Sequence, residues 1–166
     1  MKQYEGQGLM LRPANENDLE VILGFIYELA RFEGAEDEIQ STQAGLRDVL
    51  FGRGGADAMI AELEQEPEPV GFAIWAYSFS TFTGKRTLYI DDLYVREQYR
   101  GKGIGSRMFR ALAEVAYQKD CGRMDWYCME SNLTGKEYYH SMGAEEINWF
   151  KVFRLNRQQI EEMKRS

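Results

Sequence analysis

Residues Arg100–Ser106, read Arg-Gly-Lys-Gly-Ile-Gly-Ser, set three alternate glycines between a strand-like run, Thr87–Val95, and an apolar stripe at helical spacing. That stripe, Ile104, Met108, Phe109, Leu112, Val115 and Ala116, predicts an amphipathic helix. A strand that feeds a helix through so short a turn must bury the helix on its own sheet, and Met124–Met129 supplies a return strand. The two strands are then parallel, with the glycine turn at the carboxyl end of the first, where open α/β sheets bind ligands.

The other elements fit round this unit. Strands are expected at Gly8–Arg12, Ala58–Leu63, Val70–Tyr77 and Ile147–Leu155, from β-branched and aromatic residues. Leu19, Ile22, Leu23, Ile26 and Leu29 predict a helix over Asp18–Phe32, capped by Asn15 or Asn17. Shorter helices are expected at Thr42–Phe51, at Thr134–Met142 before Gly143, and after Asn156. The glutamate-rich run Glu62–Glu68 reads as a solvated turn between antiparallel strands. The order β-α-α-β-β-β-α-β-α-β predicts an α/β fold whose mixed sheet is mostly antiparallel, with one parallel pair around the glycine turn. No repeat or linker interrupts it, and 166 residues suit a single domain, 1–166.

Composition excludes several classes of function. A formal charge of −7 argues against general nucleic-acid binding. No apolar run reaches the roughly 18 residues of a membrane span, and MKQYEGQG lacks a signal-peptide core, so a cytoplasmic protein is expected. Two cysteines, Cys121 and Cys128, and the single His140 give little material for a disulfide framework or a metal site, and no metal is expected.

Against that acidic background, Arg96–Arg110 holds five basic residues and one acid. Glycines let a ligand approach the backbone amides, and the free N–H groups and dipole of a helix N-terminus attract a phosphate. The turn therefore reads as a diphosphate site. It does not fit the P-loop pattern, because Lys102 precedes Gly103, nor the dinucleotide pattern, because Ser106 stands at the third glycine.

The pattern Arg-x-x-Gly-x-Gly at Arg100, Gly103 and Gly105 resembles the acetyl-CoA loop of the GNAT superfamily of N-acetyltransferases. The stretch SNLTGKEYYHSMGA resembles the family's second signature at Asn132, Gly135, Tyr139, Gly143 and Ala144, and LRPANENDLEVI its opening strand and helix. Within the superfamily, FIYELARFE, YSFSTFTGKRTLYIDDLYVREQYRGKGIGS and WFKVFRL are similar to diamine (spermidine/spermine) acetyltransferases and their bacterial relatives. The resemblance implies a fold whose central parallel strands splay around acetyl-CoA. It implies cofactor contacts from Leu93, Tyr94 and Val95, from Arg100, Gly101, Lys102, Gly103, Ile104, Gly105 and Ser106, and from Asn132, Leu133, Thr134 and Gly135. It also implies Tyr139 as the acid, Asp91 as base or water-orienting group, and Glu33, Phe32 and Asp92 at the amine. A homodimer is implied as well, with Ile147–Leu155 as interface. The chain departs from the pattern at Ser80, Ser131, Ser141 and Met142, and by an aspartate in place of glutamate at Asp91.

The chemistry is consistent with those residue types. An alkylamine of pKa near 10.4 is neutral in about one molecule in 2,500 at pH 7, so a proton acceptor is useful, and the departing thiolate benefits from a nearby acid such as a tyrosine hydroxyl. Asp91 and Asp92 are neighbours on an expected strand, so their side chains point to opposite faces unless a bulge intervenes. Neither cysteine has a histidine beside it, which favours direct attack in a ternary complex. The expected activity is acetyl transfer from acetyl-CoA to a primary amine of a small molecule: a diamine, polyamine or lysine-like amino acid. Acetylation of a protein or peptide, and a non-catalytic CoA-binding module, are the alternatives. Aromatic and acidic loops at Phe32–Glu38 and Phe79–Phe82 suggest a closed pocket, which suits a small acceptor.

Overall fold

The computed structural model describes residues 4–6, by their backbone, and 8–165. Met1, Lys2, Gln3, Gln7 and Ser166 lie outside the described residues. The chain packs as two compact units, Met1–Tyr127 and Cys128–Ser166.

The first unit is built on a six-stranded sheet in sequential order: β1 (Tyr4–Gly6), β2 (Leu9–Pro13), β3 (Asp57–Leu63), β4 (Gly71–Ser80), β5 (Lys85–Val95) and β6 (Arg123–Trp126). Neighbours are antiparallel except β5 and β6, which pair in parallel from Thr87–Arg123 to Ile90–Trp126. The sheet is mixed as expected, with β1 added and without the strand expected at Ile147–Leu155. Helix α1 (Leu19–Glu33) starts where the sequence places it: Asn15 and Asp18 exchange capping bonds, and Arg12 clamps Asp18 with bonds of 2.7 and 2.8 Å. Glu62 accepts from the same guanidinium, tying β2, β3 and the start of α1 together. The weaker helix expected at Thr42–Phe51 is α2 (Gln43–Arg47), capped by Thr42 and followed by a π turn at Asp48–Gly52.

One sheet face buries α1. Ile22 and Phe25 pack with Ala58, Ile60, Phe72, Ile74 and Tyr94, and the Phe25 and Phe72 rings stack at 5.2 Å. Helix α3 (Ile104–Gln118) packs on β5 and β6 with Met108 and Leu112 fully buried. Its Phe109 meets Trp126 edge to face. The predicted strand Met124–Met129 is shorter, and pairing stops one residue before an irregularity in β5. Ile74 of β4 opposes Asp92 and Trp75 opposes Ile90, so Asp91 is an extra residue, a β-bulge. A bulge bends its strand, which is a sufficient reason for the parallel ladder to end there.

The second unit contains α4 (Leu133–Ser141) and α5 (Arg157–Arg165). Asn132 caps the first, and Gly143, at φ +87°, closes it. Asn156 and Gln159 cap the second reciprocally at 2.9 Å. The strand expected at Ile147–Leu155 does not form. β-Propensity expresses a fit to a pleated, half-buried surface, and the described residues of this unit offer no other strand to pair with. Trp149, Phe150, Val152 and Phe153 are exposed, with the first two rings 3.8 Å apart.

Gly71 lies where β4 passes close to the backbone of β5. A Cβ there would lie 2.6 Å from the Tyr94 carbonyl oxygen. Gly71→Ala is expected to lower stability by about 1–3 kcal/mol, since backbone has to move, and urea unfolding followed by tryptophan fluorescence measures it.

Candidate active site

The bulge decides where the two aspartates point. Asp92, opposite Ile74, shares the α1-facing side with Ile74 and Tyr94, whereas Ile90, opposite Trp75, faces the other way. Alternation from Ile90 then turns Asp91 toward α1 as well. Both carboxylates occupy one face, which a regular strand forbids. Asp91 is exposed and Asp92 half-buried. Burial, the Asp91 charge and the Glu33 charge push the Asp92 carboxyl up to about 7.

Glu33 is the last residue of α1, where the helix dipole disfavours a negative charge. Gly34, at φ +69°, ends the helix just beyond, and its N–H donates to Ala30 and Arg31 carbonyls. Although Glu33 lies on the surface, partial desolvation lifts its carboxyl above the ordinary range. Asp91 and Glu33 therefore both act on Asp92, which has neither a hydrogen bond nor an ion pair among the described residues. Phe32 is exposed, and Arg100 stacks over it at 4.3 Å and over Tyr94 at 5.3 Å.

The glycine turn follows β5 through a 3-10 turn at Glu97–Tyr99. Gly101 and Gly103 have φ of +74° and +77°, which favour glycine, and a Cβ on either would meet no atom within 4 Å. Gly105 rests over Leu93 and Val95, a Cβ there lying 4.0 Å from each. Gly103 is the N-cap of α3 without a side-chain cap, so the first-turn amides, Ile104, Gly105 and Ser106 among them, have no carbonyl of their own helix in reach. Ile104 is buried and anchors the turn, while Lys102 is exposed with its ammonium 5.3 Å from the Tyr99 ring. The space and the donors fit a diphosphate. The edge of β5 beyond Ile90 has no strand beside it, so the backbone of Leu93, Tyr94 and Val95 keeps its β4 pairing on one side only.

The basic residues divide their duties. Arg96 ion-pairs with Glu28 at 3.0 Å and lies over Phe25, and Arg100 donates from Nε to the Val95 carbonyl at 2.9 Å. Much of the charge gathered near the turn therefore holds β5 to α1, a role that the sequence count alone conceals.

In the second unit, Asn132 Oδ1 accepts from the Gly135 N–H at 2.9 Å, and a Cβ at Gly135 would lie 2.6 Å from the Asn132 amide nitrogen. The Asn-x-x-Gly spacing is thus a helix cap, and a side chain at position 135 would require the Asn132 amide to shift. Leu133 and Thr134 of the first turn are exposed. Tyr138 and Tyr139 are half-buried with ring centroids 5.7 Å apart, and His140 is exposed, 3.8 Å from Glu146. Cys128, expected on a strand, lies beyond the end of β6.

One reading is corrected. Phe79 and Phe82, expected to help close a pocket, are 66% and 93% exposed, because they sit at the tip of the β4–β5 hairpin beyond any packed element. Ser80, one of the departures from the family pattern, is buried in that hairpin and accepts from the Thr83 N–H. The family resemblance assigns Glu33 and both aspartates to one site, but the residues alone do not show that Asp91 and Asp92 share a face. The only signal of it was the polar pair inside an apolar strand.

A strand ends in a glycine turn and an uncapped helix, with an acidic face beside it, an arrangement that suits a phosphate-bearing cosubstrate and a cation. Residues 23–144 match the model of the acetyltransferase (GNAT) family, and the chain belongs to it. It is an acetyl-CoA-dependent acyltransferase. It is 34% identical over 146 residues to thialysine N-epsilon-acetyltransferase of Bos taurus, covering 84% of this chain and 85% of that one. It is also 32% identical over 172 residues to spermidine/spermine N(1)-acetyltransferase-like protein 1 of Homo sapiens, covering 98% of this chain but 25% of the relative. Among solved structures, an integron cassette protein from the mobile metagenome of V. cholerae superposes with a TM-score of 0.78 at 24% identity, over 97% of this chain and all of the other. No helix among the described residues is long and apolar enough to cross a membrane.

The acid cluster has a measurable cost to stability. Folded Asp92 keeps its proton to about pH 7, whereas an unfolded aspartate loses it near pH 4. The folded state binds more protons between those values, so stability falls as pH rises through that window, by on the order of 4 kcal/mol from this group. Asp92→Asn should unfold at higher urea than the parent at pH 8 and lose much of the pH dependence, as denaturation at pH 5 and pH 8 will show.

Proposed function

We propose that the protein transfers the acetyl group of acetyl-CoA to a primary amine of a small molecule, a diamine, polyamine or lysine-like amino acid, in one ternary complex. The observation that carries this reading is the acidic face of Glu33, Asp91 and Asp92, brought together by the bulge at the end of the same strand that leads into the glycine turn. A cluster of carboxylates that forms no ion pair among the described residues suits an ammonium group. Thialysine, the amine named for the bovine relative, offers one at the end of a chain.

Acetyl-CoA supplies the activated acyl group as a thioester. The turn Arg100–Ser106 would hold its diphosphate through backbone amides, and Leu93, Tyr94 and Val95 its pantetheine arm; Asn132–Gly135 are given a cofactor contact on the strength of the family motif. Phe32 and Glu33 would seat the acceptor. Tyr139 is given the part of the acid that protonates the leaving thiolate, on the strength of the family motif. The family model runs through both compact units, which supports treating 1–166 as one acetyltransferase domain. The exposed apolar run Ile147–Leu155 supports a homodimer, and the cytoplasm is taken as the site of action from the sequence.

A thiol-release assay with acetyl-CoA against diamines, polyamines, lysine analogues and peptides tests the reading; turnover confined to peptides, or absent, would overturn it. Tyr139→Phe is expected to lower kcat by about 100-fold or more with little change in the KM for acetyl-CoA. Gly103→Val should instead abolish acetyl-CoA binding in calorimetry, because it forces a β-branched residue into a left-handed backbone at the phosphate turn.

A further inference from the structure

We infer that Asp92, and not its neighbour Asp91, is the group that takes the proton from the acceptor's ammonium, with Asp91 and Glu33 as the charges that tune it. The inference rests on the acetyl-transfer reading above and reassigns the two roles that the family resemblance gives to these aspartates.

Geometry separates the pair. Asp91 is the extra residue of the bulge and stands in solvent, where water screens it. Asp92 returns to the ladder opposite Ile74, is half-buried, and has no hydrogen bond or ion pair among the described residues. The groups facing it are two acids, Asp91 on its own strand and Glu33 from the end of α1; the opposed residue on β4 is the uncharged Ile74. The cation on this face, Arg100, is engaged by the Val95 carbonyl and by the Phe32 and Tyr94 rings. A carboxylate in that setting is a poor permanent partner for an ammonium and a good acceptor of its proton.

The magnitudes agree. An ordinary aspartate near 3.9 lies more than six units below an alkylammonium near 10.4, so it hardly ever removes the proton. At about 7, Asp92 closes that gap by about three units and makes the transfer roughly 1,000-fold less unfavourable, near the pH at which a general base works best. In the step, an N–H bond of the ammonium breaks and an O–H bond forms on Asp92. The freed nitrogen lone pair then makes the C–N bond to the acetyl carbon as the C–S bond breaks. A second proton leaves the nitrogen as the amide forms, balancing the one taken up by the departing thiolate, and Asp92 returns its own to solvent.

The test is the pH profile of kcat and KM for the parent, Asp92→Asn, Asp92→Glu and Asp91→Asn, with the carboxyl titration of Asp92 followed in parallel by carbon NMR. In the parent, kcat/KM should rise with pH through a limb near 7, because the base must be deprotonated. Asp92→Asn should lose at least about 100-fold in kcat at saturating amine and lose that limb. A weakly basic amine, already neutral at the assay pH, should restore most of the lost rate, and Asp92→Glu part of it. Asp91→Asn should keep the limb but move it to lower pH, since removing a like charge favours ionisation of Asp92, and the NMR midpoint should move with it. An Asp92→Asn enzyme altered in KM alone, or a limb lost in Asp91→Asn and kept in Asp92→Asn, overturns this assignment and leaves acetyl transfer standing. A parent protein that acetylates no amine overturns both.

Discussion

One extra residue in β5 governs the first unit. Because Asp91 has no partner on β4, the strand changes facing at that point: Leu88 and Ile90 serve the side away from α1, while two carboxylates come round together onto the α1 side. The same irregularity coincides with the end of pairing to β6, so the strand enters the glycine turn with one edge lacking a strand neighbour. A strand without the bulge would send one aspartate to each face. The acid cluster and the unpaired edge thus have one common cause.

The rest of the unit holds that irregular strand still. Gly71 lets β4 approach the Tyr94 carbonyl, closer than any side chain would permit. Arg96 and Arg100 fasten the end of β5 to α1 through Glu28, Phe25, Phe32 and the Val95 carbonyl. These are positive charges placed on aromatic faces and carbonyls, where they gain from being partly desolvated. They also keep the last turn of α1, with Phe32 and Glu33, near the turn that follows the strand. Stability is given up at the same place, since a half-buried carboxylate beside two others resists ionisation. Such local conflict is usual where a fold carries out chemistry.

The second unit shows how a motif can have a structural basis as well as a functional one. Asn132 and Gly135 are paired by a helix cap so close that a methyl group at position 135 would require the Asn132 amide to shift. Binding and capping can coexist, because the cap occupies the side-chain oxygen of Asn132 and leaves the helix's other first-turn amides in place.

The sequence by itself determined the elements whose signals are local. The stripe from Ile104 to Ala116, a cap at Asn15 or Asn17, the glycine turn and the meander before it all follow from periodicity and backbone preferences that act within a few residues. The family motifs at Arg100–Gly105 and Asn132–Tyr139 were legible for the same reason. Tertiary structure alone decided the facing of Asp91 and Asp92, because a bulge depends on register with a partner strand and no period in the sequence encodes it. It also decided that Arg96 and Arg100 spend their charge on α1, and that Ile147–Leu155, apolar and β-branched as it is, forms no strand. A ladder is a property of two segments, and one segment's composition cannot supply the other.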